Sequence, residues 1–480
     1  MIKNEKLGFK TIVLFGINSI IGTGIFLSPG GVIKISGEFA PLAYIFATLF
    51  AISLAFVYAE AAKYVKGNGA AYAYAEEAFG SKVGLYVGIT RGLSSAIAWG
   101  LMATAVIKTL YDIFCPTLKN SPHINSYYLI SLVSLISLLF ILNLFGNKIF
   151  GIFNNISTVG KVFTLVLFVI SGIAIISFAG VNNYFQAAIP FDSATGMGVY
   201  QGRPLLLFGV FKVMETSKLA GVFVATIAAV YAFTGFESIA LASEEMDDNA
   251  LPKAIPTAIL IVAFIYISVV LVGMFLGSEN IVNTTETVAL AGAISNNTLR
   301  SIIIGGAVLS MLGINIAASY GSPRSFTALA DRGVLPKIVA KKNKNGFPTI
   351  AFLITAIIAM AFPIALNFNV STLIGLSVMS RFIQYLIVPL TVIKISSSTD
   401  AKWANVTRCF FKEKVCSVLG FIFSLTLVAV YDYKSVLFKT LSDGTLVPNT
   451  LSISFLIIFY FAIPAYGYYY YFNKERKANQ

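Results

Sequence analysis

The chain has 480 residues, 57% apolar and only 11% charged, with a mean hydropathy of +0.82. A soluble globular protein carries about 25% charged residues, so this chain cannot coat a water-facing surface of its size; a soluble enzyme, a disordered chain and a fibrous protein are excluded. The net charge of +13 comes from 34 Lys and Arg against 21 Asp and Glu, spread along the chain and not gathered into a basic arm, which marks the cytoplasmic loops of a membrane protein and not a nucleic-acid surface.

Apolar runs bounded by charges or turn residues fall at roughly 11–33, 40–62, 84–112, 127–145, 154–179, 219–243, 256–277, 301–320, 348–366, 370–394, 415–431 and 450–472, each about the 20 residues that a membrane helix needs. Lipid offers no hydrogen bonds to the backbone and no short alternating strands suggest a barrel, so an all-α integral membrane protein of about 12 spans is predicted. The basic start MIKNEKLGFK runs into the first span without a small-residue cleavage site, as expected of a retained helix. Arg91 falls within the third run and Arg381 within the tenth. His123 stands alone in a polar connection, and Cys115, Cys409 and Cys416 show no paired spacing, so no metal, disulfide framework or cofactor is expected. The ending YGYYYYFNKERK reads as an interfacial aromatic belt followed by a basic tail.

Placing the N-terminus inside assigns 23 of the 34 basic residues, Lys3, Lys161 and Lys253 among them, to the cytoplasmic side or to helix ends facing it. Nine, Arg203 among them, fall outside, with Arg91 and Arg381 within helices. That asymmetry predicts an even number of spans with both termini cytoplasmic. Compact loops favour a bacterial inner (plasma) membrane.

Two runs are poorly written as membrane helices. The first places Gly16, Asn18, Ser19, Gly22, Thr23 and Gly24 at mid-depth, and the sixth places Gly235 and Glu237 there, in Tyr231-Ala232-Phe233-Thr234-Gly235-Phe236-Glu237. Each interior glycine costs about 1 kcal/mol relative to alanine, and a central carboxylate about 2.5–3.5 kcal/mol on insertion scales. Gly16 and Gly305-Gly306 are explained by close helix packing. The other two clusters occupy corresponding members of two five-helix halves, which points to discontinuous helices in an inverted-repeat transporter. An unwound segment frees N–H groups at the start of one half-helix and C=O groups at the end of the other. The first attract a carboxylate and the second an ammonium, the two groups of a free amino acid. Gly22 and Gly24 would let a ligand approach the backbone, and Thr23 adds a hydroxyl.

The stretch GINSIIGTGIFLSPG resembles the first-helix signature of the amino acid–polyamine–organocation superfamily. YAEAAKYVKGNGAAYAYAEEAFG, YAFTGFESIALASEEMDDNALPKAIPTAI and ASYGSPRSFTALADRGVLPKIVAKKNKNGFPTIA are similar to that family's segments after helix 2, through helix 6 and after helix 8. The resemblance implies a leucine-transporter-like fold with residues 1–395 as the transport core. Its repeats would cover about 10–180 and 218–394, with 396–480 forming peripheral helices 11 and 12 and a tail. It implies that amides around Gly22, Thr23 and Gly24 hold the α-carboxylate. Carbonyls near Ile20, Phe233 and Thr234 would hold the α-amine, with Phe233 or Tyr231 as an aromatic lid and Gly235 at the second break.

Lys161, in the fifth run, matches the lysine of the sodium-independent branches; by itself it also reads as a side chain snorkelling to the interface. In the family reading its ammonium stands where a cation bridges helices 1, 5 and 8 of sodium-driven carriers. Protonation would then be linked to conformation, with exchange of substrates as the alternative if the charge is permanent. Glu237 would accept hydrogen bonds from the unwound segment or exchange a proton during gating. The candidate wall positions Ala98, Trp99, Met102, Ser310, Gly313, Ile314, Phe236 and Ser238 are neutral, which leans toward small or apolar neutral amino acids. Arg91 and Arg381 would serve a gate or an interfacial contact. A polytopic enzyme would need clustered His, Asp or Glu at a membrane face, which the lone His123 and the run Glu244-Glu245-Met246-Asp247-Asp248 do not supply. A channel filter and a Walker loop are also missing, and a nutrient sensor on the same fold is the remaining rival. Expected partners are an amino acid substrate, protons and membrane lipids.

Overall fold

Apolar runs without backbone partners in lipid are forced into helices, and most of the chain obeys. The computed structural model describes residues 6–66, 69–184, 204–209, 211–241, 246–247, 249–282, 288–440 and 445–478. The helices are α1 (Phe9–Ile20), α2 (Thr23–Ser36), α3 (Ala40–Tyr64), α4 (Ala71–Phe79), α5 (Ser81–Phe114), α6 (Ile124–Leu144), α7 (Asn147–Ala179), α8 (Lys218–Phe233), α9 (Glu237–Leu241) and α10 (Leu251–Val282). They continue with α11 (Asn297–Gly321), α12 (Pro323–Asp331), α13 (Thr349–Ala365), α14 (Val370–Met379), α15 (Phe382–Ser396), α16 (Cys416–Val430), α17 (Tyr433–Leu437), α18 (Thr450–Ile457) and α19 (Ile463–Ala478). A π-helical turn over Ile458–Ala462 joins the last two.

Among the described residues, ten helical stretches are long and apolar enough to cross a membrane, against the twelve expected from the sequence. The two shorter apolar helices are α1, of 12 residues because its run breaks after Ile20, and α13, of 17 residues. The tenth run is interrupted at Ser380-Arg381, where α14 hands over to α15, a break the sequence reading did not anticipate. The chain also departs from an all-helical one in two small antiparallel pairs: β1 (Leu205–Leu207) with β2 (Phe211–Met214), and β3 (Phe438–Thr440) with β4 (Leu446–Pro448). Lys3 and Arg203 of the charge count, and Glu244, Glu245 and Asp248 of the acidic connection, lie outside the described residues.

Half-helix α1 is enclosed by α7, α10 and α11, while α2 packs on α8 and α10. From Leu93 to Ile107, α5 is buried on every side. Its small residues let neighbours come close: a Cβ on Gly100 would run into the Ala359 carbonyl of α13. In contrast α6, α7 and α16 keep exposed apolar faces, among them Leu138, Phe163 and Ile422, as expected of helices against lipid.

Candidate ligand site at two helix breaks

The first break is two residues long. Ile21 is extended (φ −73°, ψ 100°), Gly22 leaves helical space entirely (φ −134°, ψ −131°), and α2 restarts at Thr23 with no side chain capping its amino end. At the second break Thr234 is extended (φ −66°, ψ 150°) and Gly235 has φ +118°. A Cβ on Gly235 would collide with the Ser19 carbonyl, so backbone conformation and close approach both demand glycine. The two interruptions therefore touch. Tyr266 of α10 bridges them, its hydroxyl donating to the Ala232 carbonyl at 3.2 Å and the Ile20 carbonyl at 3.4 Å.

Lys161 lies midway along α7 and is completely buried. Its ammonium donates to the carbonyls of Ile21 (2.5 Å), Asn18 (3.1 Å) and Ser310 (3.2 Å), tying the broken end of α1 to α11. The Ser310 hydroxyl adds a bond to the Ile21 carbonyl at 3.2 Å. Around it Asn18 donates to Asn154 Oδ1 (2.8 Å) and to the Gly313 carbonyl (3.0 Å). Among the described residues no carboxylate pairs with Lys161.

The second break is held by charge of the opposite sign. Glu237, at the start of α9, accepts from the Gly235 N–H at 2.8 Å and from Arg381 Nε at 2.9 Å, with Arg91 Nη1 at 3.8 Å. Arg381 also donates to the Ser377 carbonyl and hydroxyl, and Arg91 to Gln384 Oε1 at 2.6 Å. All these side chains are buried. A carboxylate at a helix amino end is favoured by the dipole, and its burial is tolerable because the guanidinium groups pair with it.

A cavity of about 370 Å³ opens beside both breaks, bordered by Thr23 and Gly24 of α2, Leu101 and Ala105 of α5, and Tyr231 of α8. That volume suits a small molecule. Its other walls are largely apolar, from α8 and α14; the one charged lining residue is Asp432, whose carboxylate caps α17. The unwound start of α2 thus presents uncapped N–H groups next to a small apolar chamber.

The profile of the amino acid permease family matches residues 7–463. The chain belongs to the amino acid permease family. It is a transport protein and not an enzyme. An uncharacterized transporter of Mycobacterium tuberculosis, Rv1979c, is 43% identical over 98% of this chain and 96% of its own length. The branched-chain amino acid permease BcaP of Lactococcus lactis is 26% identical over 88% of each chain. The serine/threonine exchanger SteT of Bacillus subtilis is 26% identical over 75% of each.

In this permease the sequence-predicted residues fall into three places. Thr23, Gly24 and Tyr231 border the cavity. Gly22, Thr234 and Gly235 form the breaks themselves, and Ile20 is the last residue of α1 before the first. Phe233 is buried with its ring on Tyr266, 5.1 Å between centroids, and not over the chamber as a lid would be. The reason given for the glycines also needs correction. The space a Cβ would take at Gly24 is filled by Ala232, whose Cα would lie 2.8 Å away, and at Gly22 by the Ile314 side chain. Both glycines here permit close packing around the break. Lys161 is buried mid-helix instead of snorkelling, and Arg91 and Arg381 converge on Glu237. Of the proposed walls, Trp99 turns to Phe352 of α13 and Phe236 to Tyr58 of α3. Leu101, Ala105, Ile374 and Val378 line the chamber in their stead. Sequence reasoning missed Tyr266, Asn154 and Gln384. Tyr266 had a signal: with Ser268 it is one of two hydroxyls in the apolar run LIVAFIYISVV.

Proposed function

We propose that this permease is a sodium-independent secondary transporter of small or apolar neutral amino acids, working by alternating access in the plasma membrane with the proton as coupling ion. The observation that carries this reading is the Lys161 ammonium, buried without a carboxylate partner and bonded to carbonyls of both α1 and α11. A fixed cation at that junction removes the need for a metal ion to hold it, and loss of its proton would release α1 from α11. On this reading α1–α2 and α8–α9 are the first and sixth of twelve spans, residues 1–395 form two inverted five-helix repeats, 396–480 are peripheral, and both termini are cytoplasmic.

The substrate carboxylate docks on the amino end of α2 at Gly22, Thr23 and Gly24. The amine takes carbonyls near Ile20, Phe233 and Thr234, and Tyr231 covers the ligand from the chamber side. Glu237 acts as the fixed cap of the second break. The apolar chamber wall supports neutral side chains, and the branched-chain and serine/threonine specificities named for BcaP and SteT are of that class.

Obligate exchange is the second reading, favoured by the three carbonyls that solvate the Lys161 ammonium in place of water. Purified protein in liposomes separates the two when a panel of labelled amino acids is tested with and without sodium and with imposed pH gradients. Accumulation driven by an inward proton gradient is expected. Uptake only against internal amino acid would select exchange, and flux that demands sodium and ignores pH would overturn the Lys161 assignment.

A further inference from the structure

A second cavity lies away from the chamber. It is a groove of about 1120 Å³ between the carboxyl end of α3, the amino end of α10 and the connection around residues 402–412. Five lysines line it: Lys63, Lys66, Lys253, Lys402 and Lys412. Carboxylates account for part of that charge, since Glu60 pairs with Lys63 at 2.7 Å and Glu77 and Asp400 pair with Lys402. Among the described residues no carboxylate pairs with Lys253 or Lys412; the latter lies 5.3 Å over the Phe56 ring. Asp247, just before α10, is engaged in capping it, accepting from the N–H groups of Asn249 and Ala250 at 2.9 and 2.8 Å.

The groove runs into lipid-facing helix surface. Lys253, Thr257 and Leu260 line it at helical spacing, and the same stripe of α10 continues to Phe264, which is 76% exposed. Trp403, an interfacial residue type, forms part of the wall with the Lys402 ammonium 4.3 Å over its ring. A cationic end that opens onto an apolar track matches a ligand with an anionic head and a hydrocarbon tail. Basic pockets between membrane helices hold lipid phosphates in this way.

We propose that this groove is a binding site for an anionic phospholipid. Its phosphodiester sits between Lys253 and Lys412, and an acyl chain lies along Leu260 and Phe264. A zwitterionic lipid, whose ammonium would meet the lysines, is disfavoured.

The test uses the full-length protein in detergent, titrated with phosphatidylglycerol carrying a fluorophore on its tail and with phosphatidylcholine carrying the same tail. Saturable binding of the phosphatidylglycerol probe alone is expected. Each lysine near an anionic surface contributes about fivefold in affinity, so K253A/K412A should weaken binding about twenty-fivefold, while the matched charge loss K434A/K439A leaves it unchanged. K253R/K412R, keeping the charge, should restore it and checks that the alanine variant's loss is not misfolding. Equal binding of both probes, or an unchanged constant in K253A/K412A, would overturn the site. Neither outcome bears on the amino acid chamber, so failure here is distinct from failure of the transport assignment.

Discussion

The two helix breaks solve one electrostatic problem in opposite ways. At the first, the carbonyl end of α1 is taken by a cation, Lys161, and the N–H end of α2 is left without a side-chain cap beside the chamber. At the second, the N–H end is taken by an anion, Glu237, which two arginines neutralise. Its carbonyl end is largely satisfied by hydroxyls: Thr234 donates to Tyr231 at 2.8 Å and Tyr266 to Ala232. Each break thus has one end closed by a buried charge of the matching sign. The difference is informative, because the end of α2 is the one left without a side-chain cap, as the proposed docking of a ligand's carboxylate requires.

The largest effect should come from disarming the second break. Glu237→Gln leaves Arg381 and Arg91 buried without a counter-charge, and losing one partner of such a pair costs about 3–5 kcal/mol. The expected outcome is the steepest fall in melting temperature of any single variant here, measured in detergent. If the protein is unmoved, the carboxylate does not hold that break closed.

Lys161→Ala is the matching experiment at the first. Hydrogen bonds to a charged group are worth about 1.5–3 kcal/mol each, but removing Lys161 also relieves the desolvation of a buried ammonium that has no counter-charge, so a smaller net loss of stability is expected. The sharper readout is coupling: accumulation driven by a pH gradient should vanish while exchange of internal for external substrate persists. Loss of neither would detach Lys161 from transport.

Next in size is Gly24→Val. Overpacking a tight contact costs about 1–3 kcal/mol, and here the added atoms push α2 off Ala232 at the mouth of the chamber. Transport should fall at least tenfold in protein that still elutes as a folded species; normal transport would move the ligand elsewhere. Thr23→Val is the mildest. It removes a hydroxyl that borders the chamber, and one lost hydrogen bond to a ligand is worth about 1 kcal/mol, so KM should rise about fivefold with the maximal rate little changed.

Much of this was legible in the chain itself, for local reasons. Gly22 and Gly235 are costly inside any helix, so their cost shows in sequence and both helices stop there. Glu237 in an apolar run announces a partner in the same way, though not which one. The exposed faces of α6 and of the second half of α7 follow from their long apolar runs. Other features were illegible because they depend on residues far apart. Nothing near Gly24 indicates that Ala232, on another helix, occupies the space beside it. The periodicity of α5 does not say that Trp99 faces α13 while Leu101 faces the chamber, since a helix buried on all sides carries no polar face to orient it.

The amino-acid sequence alone determined that this is a helical membrane protein interrupted in its first and sixth apolar runs, because hydropathy and glycine placement act over a few neighbouring residues. Only the tertiary structure decided what closes each interruption. Lys161 reaches carbonyls up to 149 positions away, and Arg381 meets Glu237 across 144. A buried charge is stable only where distant helices bring it a partner, and the distance along the chain conceals which partner that is.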